Sequence, residues 1–129
     1  MSGGVTRIVI AEDDPDIAAV LVEALAADGT IDPIVVSNGA LVMDAVMSCA
    51  ARLLVLDVQM PGATGIDVYD VVRDHPAFCD IPVLFVTANP KLALDMPPGR
   101  APRRVLAKPF DIGELVSAAR ELLGTGVPV

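Results

Sequence analysis

Apolar residues fall along this chain in two rhythms that take turns. Short unbroken runs form the first: Ile8-Val9-Ile10-Ala11, Leu53-Leu54-Val55-Leu56, Val83-Leu84-Phe85-Val86 and Val105-Leu106-Ala107. Runs of this length, rich in aliphatic and β-branched residues, read as strands. Because they do not alternate with polar residues, they predict a parallel sheet covered on both faces. Between them apolar residues recur at helical spacing. Ile17, Val20, Leu21 and Leu25 form one such set, Leu41, Val42, Ala45 and Val46 a second, and Leu115, Val116, Ala119, Leu122 and Leu123 a third.

The pattern predicts strands over 6–11, 33–36, 53–57, 81–86 and 104–107, with helices opening at Pro15 and running over 40–51, 66–74 and 111–123. Punctuation agrees with it. Asp14 suits a helix cap and Pro15 the first helical position. Gly29 and Gly124 are stops, and Pro76 marks the end of the third helix. The fourth helix is the exception. Asn89-Pro90 repeats the cap-then-proline opening, but Pro97-Pro98-Gly99 leaves room for less than two turns. Strict strand–helix alternation implies right-handed crossovers between parallel strands, hence an α/β fold.

Polar chemistry gathers where these strands end. Glu12-Asp13-Asp14 follow the first strand, Asp57 ends the third, Thr87 follows the fourth and Lys108 the fifth. In open α/β sheets this carboxyl edge is where ligands bind. Taken singly, each residue has a structural reading. Glu12 and Asp13 could favour a helix N-terminus, Asp57 could be a turn residue, Thr87 a β-branched strand residue and Lys108 a solvated surface cation. Taken jointly they converge on one edge. Three crowded carboxylates cannot comfortably stay ionised without a cation, and hard oxygen ligands that leave room for water suit Mg²⁺ or Mn²⁺. Asp57 would then be a nucleophile that accepts a phosphoryl group. Lys108 would neutralise one of its oxygens and the Thr87 hydroxyl would hydrogen-bond another. No glycine-rich phosphate loop follows the first strand, which argues against nucleotide and flavin cofactors.

The bulk numbers narrow the picture further. At 129 residues the chain fits one domain, and 53% hydrophobic residues with only 3% aromatic ones mean an aliphatic core. The formal charge of -8, with 9 basic residues against 17 acidic ones, excludes holding nucleic acid or an anionic membrane by charge. No apolar stretch has the length of a membrane span and no targeting peptide is evident, so a cytoplasmic location is the default. Cys49 and Cys79 have no metal-type spacing and read as reduced thiols. His75 reads as structural. Residues 1–6 are expected to be a disordered start, 7–124 the domain and 125–129 a short tail.

The residues that carry chemistry also carry a resemblance. Ile-Val-Ile-Ala-Glu-Asp-Asp-Pro, Leu-Asp-Val-Gln-Met-Pro with Gly65, Val-Thr-Ala and Lys-Pro-Phe occur in this order, and the chain from about Arg7 to Leu123 resembles the receiver domain of two-component response regulators. The resemblance implies a flavodoxin-like, doubly wound sheet of five parallel strands in the order 2-1-3-4-5. It implies phosphorylation of Asp57 by a histidine kinase or histidine phosphotransfer protein, and altered contacts with a downstream protein. Asp13 and Asp57 would hold Mg²⁺ directly, Glu12 through water, and the Gln59 backbone carbonyl would complete the set. The Lys108–Pro109 bond would be cis. The chain would be a signalling domain rather than an enzyme, its chemistry limited to its own phosphotransfer and dephosphorylation. Gln59 and Asn89 would flank the route of attacking water.

Two departures stand out. The family usually carries a Tyr or Phe three residues before the lysine, and here that residue is Val105. The fourth helix, normally several turns, is broken by Pro90, Pro97, Pro98 and Pro102, so the face it builds is expected to signal differently or not at all. Both favour a rival reading, a pseudo-receiver that docks partners without phosphorylation. A small Mg²⁺ phosphatase fits less well, because its nucleophile would follow the first strand with a second Asp two residues on, where this chain has Gln59.

Overall fold

The computed structural model describes residues 5–27, 29–60 and 62–124. The expected tail, 125–129, and residues 1–4 of the expected start lie outside the described residues, as does Pro61. Thr6, counted at the end of that start, opens the first strand. The elements are β1 (Thr6–Ala11), α1 (Pro15–Ala26), β2 (Ile31–Val36), a 3-10 turn (Gly39–Leu41) leading into α2 (Val42–Cys49), β3 (Leu54–Leu56), α3 (Gly65–Val72), β4 (Val83–Thr87), α4 (Pro90–Leu94), β5 (Arg103–Ala107) and α5 (Ile112–Gly124). All strand pairs are parallel and the order is β2-β1-β3-β4-β5, the doubly wound arrangement expected.

The unbroken apolar runs are explained by burial on both sheet faces. Val9, Ala11, Leu54, Leu56, Val83 and Phe85 pack with Val42 and Val46 of α2, Val68, Tyr69 and Val72 of α3, and Ala93 of α4. The alternate strand residues Ile8, Ile10, Val55, Leu84 and Val86 pack with Leu21 and Leu25 of α1 and with Leu115, Ala118, Ala119 and Leu122 of α5. Leu84 is fully buried at the centre of this second layer. Leu84→Ala is expected to lower the unfolding free energy by about 2–5 kcal/mol in a urea titration, because transfer and cavity costs add.

Several boundaries and two inward residues differ from expectation. β2 starts at Ile31 rather than Pro33; it is an edge strand, where a residue without an N–H is tolerated. α1 stops at Ala26, before Gly29, whose φ of 78° makes the turn into β2. Val20 and Leu41 are exposed, and Ala18 and Cys49 are buried instead. Leu41 closes the 3-10 turn and so is out of phase with the α2 stripe. β3 ends at Leu56, which leaves Asp57 just beyond it, while Thr87 is the last residue of β4 rather than the first after it. α4 is only 5 residues long, as the prolines foretold. Both cysteines are free. Among the described residues no helix is long and apolar enough to cross a membrane.

Candidate functional site

Parallel pairing runs on past the strand ends, and that positions the site. Glu12 donates its N–H to the Val36 carbonyl at 3.0 Å, and Asp57 donates its N–H to the Ala11 carbonyl at 3.0 Å. Lys108 donates its N–H to the Thr87 carbonyl at 2.8 Å. Each backbone bond anchors a functional side chain to the strand beside it. The Lys108–Pro109 peptide is cis.

Among the described residues, Glu12, Asp57 and Thr87 are the buried polar ones, at 2%, 7% and 1% exposure. Lys108 extends its ammonium between the two acids, with Nζ 2.8 Å from Glu12 Oε1 and 3.2 Å from Asp57 Oδ2. Backbone amides take the other oxygens: Asp14 N–H donates to Glu12 Oε2 at 3.1 Å and Gln59 N–H to Asp57 Oδ1 at 3.2 Å. The Asn89 N–H donates to Thr87 Oγ1 at 3.0 Å, which directs that hydroxyl and ties it to the start of α4. Asp14 itself turns away and caps α1 by accepting from the N–H groups of Asp16 and Ile17.

Burial, reinforced by the nearby Asp57 charge, holds the Glu12 carboxyl above its usual range even though Lys108 and the Asp14 amide pull it back. Burial alone would lower the Lys108 ammonium, but Glu12 and Asp57 outweigh it and hold Lys108 above the ordinary lysine value. The site is therefore a pair of crowded acids with one cation bridging them. Asp13 is exposed at its mouth. Glu12, Asp13 and Asp57 each bring a carboxylate oxygen within 4.8 Å of the others, a hard-oxygen donor set that fits a divalent cation.

Every expected site residue is thus on one edge. Asp13, Glu12, Asp57, Thr87 and Lys108 converge, and Gln59 reaches the cluster through its amide. His75 stays apart: its Nδ1 accepts from Ala77 N–H at 3.0 Å and its ring packs on Phe78.

Some supporting residues were not anticipated. Thr64 and Asp67 form a reciprocal capping box at the start of α3, and the Thr-x-x-Asp spacing is the signal that could have shown it. Gly65 donates its N–H to the Val58 carbonyl at 3.0 Å, and a Cβ there would collide with the Asp57 carbonyl. The first residue of α3 is therefore pressed against the backbone of Asp57. Tyr69, the single tyrosine, is buried one turn further along.

Comparison with known proteins agrees with this geometry. A family model described as "Response regulator receiver domain" matches residues 8–120. The DNA-binding response regulator MtrA of Mycolicibacterium smegmatis is 32% identical over 120 residues, covering 91% of this chain and 50% of that protein. The chain thus spans about half the length of the MtrA relatives it matches. The response regulator receiver protein CpdR of Brucella abortus is 34% identical, with 91% of this chain and 96% of that protein covered. Among solved structures, the Thermotoga maritima response regulator TrrA in complex with Mg²⁺ and beryllium fluoride shares 27% identity at a TM-score of 0.79, covering 92% of this chain and 99% of that one. This chain belongs to the response regulator receiver domain family.

Proposed function

We propose that this chain is a phosphoacceptor switch of a two-component system, phosphorylated on Asp57 by a histidine kinase or histidine phosphotransfer protein. The observation that carries the reading is the Lys108 ammonium bridging Glu12 and Asp57 beside the exposed Asp13 carboxylate. An Asp57 oxygen attacks phosphorus, the bond to the donor nitrogen or oxygen breaks, and an acyl phosphate remains on Asp57. The Lys108 ammonium and Thr87 hydroxyl would meet the phosphoryl oxygens. Asp13 and Asp57 would hold Mg²⁺ or Mn²⁺, with Glu12 acting through water and the Gln59 carbonyl completing the set. The cation supplies charge neutralisation for the incoming phosphoryl oxygens. The TrrA complex with Mg²⁺ and beryllium fluoride supports this assignment by similarity.

The partner reading has support of its own. An apolar groove of about 490 Å³, lined by Ile17, Val20, Pro109, Phe110 and Ile112, opens beside Lys108. A partner presenting a phosphohistidine there gains apolar contact close to Asp57. The location is cytoplasmic on this reading, and the domain is not an enzyme acting on other substrates.

Radiolabelled acetyl phosphate with Mg²⁺ tests the chemistry. Label that hydroxylamine releases, and that Asp57→Asn never acquires, is the expected result; a chain that takes no label contradicts it. Val105 favours the second reading, phosphorylation-independent docking, which predicts no label and unchanged partner binding in Asp57→Asn. Gln59 and Asn89 flank the site, so Gln59→Ala and Asn89→Ala should each change the dephosphorylation rate severalfold. Unchanged rates would remove them from the mechanism.

A further inference from the structure

The segment between α4 and β5, residues 95–102, is held against α3. Gly99 donates its N–H to Tyr69 Oη at 3.1 Å. The Arg103 guanidinium lies over the Tyr69 ring, 5.5 Å from its centroid. Arg100 pairs with Asp80, in the loop that leads into β4, at 3.1 Å. Gly99 permits this close approach, because a Cβ there would sit 2.7 Å from Cβ of Arg73.

Tyr69 also touches β4, the strand that ends in Thr87. Its ring meets Phe85 edge-on at 5.2 Å. Phe85 lies on the same face of β4 as Thr87, two residues away, and pairs in register with Val105. Val105 packs against the same core layer as Tyr69. The aromatic missing at position 105 thus has a counterpart in this layer, contributed by α3 instead of β5. α3 in turn begins at Gly65, against the Asp57 carbonyl. One short helix therefore touches the Asp57 backbone at its start and the 95–102 segment one turn later.

The docked arrangement carries a cost. Arg103 Nη1 is buried with no hydrogen-bond partner among the described residues, and Nη2 reaches the Leu94 carbonyl only at 3.4 Å. A buried donor left unpaired narrows the free-energy gap to a state in which the segment lifts away. Coupling between sites requires an element with two such arrangements.

We propose that Tyr69 is the positioning residue through which the state of Asp57 reaches residues 95–102, docked in this structure and released when Asp57 carries a phosphoryl group. The proposal rests on the phosphoacceptor reading above and gives it an output route that does not need an aromatic at 105.

Amide hydrogen exchange by NMR, on the full chain with and without Mg²⁺ and beryllofluoride, tests it. The Gly99 amide should exchange about fivefold faster or more when the mimic is bound, the lower end of usual coupling strengths. The Gln59 amide reports occupancy of the site. Tyr69→Phe keeps the ring against Phe85 and removes only the acceptor, so Gly99 should exchange fast throughout and ignore the mimic while Gln59 still responds. Gly99→Ala pries the segment off from its own side, and the Arg100 and Ala101 amides should then be insensitive too. A Gly99 amide that does not change in the unaltered chain while Gln59 responds overturns the proposal, as does an undiminished response in Tyr69→Phe. If Gln59 does not respond either, the phosphoacceptor reading fails and takes this proposal with it.

Discussion

Lys108→Ala is expected to slow phosphoryl transfer to Asp57 by about a hundred- to a thousandfold, the loss typical when one preorganised donor to developing negative charge is removed. The same substitution should destabilise the metal-free domain by about 3 kcal/mol. It leaves Glu12 and Asp57 facing each other, mostly buried, without the cation that now bridges them. Lys108→Arg separates the two effects. Arginine keeps the charge but presents a planar fork in place of a compact ammonium, so it should restore much of the stability and little of the transfer rate. Urea unfolding and transfer from acetyl phosphate measure the two quantities independently. A fully stable, fully active Lys108→Ala chain would show that the bridge is incidental.

The second large effect concerns the cation. Glu12 is held above the usual carboxylate range by burial first and by the Asp57 charge next, with Lys108 only partly offsetting them. A carboxylate whose folded-state pKa is raised costs the fold stability once it ionises, so the metal-free site carries a standing penalty at neutral pH. Mg²⁺ should relieve it. At a concentration of about a hundred times Kd, binding to the folded state alone adds about 2.7 kcal/mol. For a domain of this size that is a rise of roughly ten degrees in melting temperature. Asp13→Asn removes a carboxylate from the mouth of the site without disturbing the Lys108 bridge, and should abolish most of the rise. Asp57→Asn should raise the melting temperature of the metal-free chain by relieving repulsion with Glu12, and lose most of the response to Mg²⁺. A melting temperature indifferent to Mg²⁺ would mean that the three carboxylates do not form a metal site.

The site was more legible in the sequence than the packing that supports it, for a physical reason. Strands buried on both faces leave continuous apolar runs, and whatever polar residue follows such a run must surface at the sheet edge. Glu12, Asp57, Thr87 and Lys108 are visible on that basis, and so is the truncated α4, because proline leaves no alternative. Contacts made across the fold leave no such mark. Leu41 reads as part of the α2 stripe until the 3-10 turn shifts its phase. Val20 lies one position off the buried line of Ala18, Leu21 and Leu25, too fine a distinction for periodicity alone. Tyr69 and Gly99 stand 30 positions apart, and nothing local in either announces the bond between them. The Thr64–Asp67 capping box was readable from its spacing, but it is outshone by Asp57 before it.

Intact mass of the purified chain after incubation with acetyl phosphate and Mg²⁺, beside Asp57→Asn, addresses the phosphoacceptor claim most directly. One added phosphoryl group is expected, absent from Asp57→Asn and absent without a divalent cation. An unmodified mass, together with no binding of beryllofluoride in a separate titration, would contradict the claim, and would leave the bridged acids of this edge as a docking surface that works without phosphorylation.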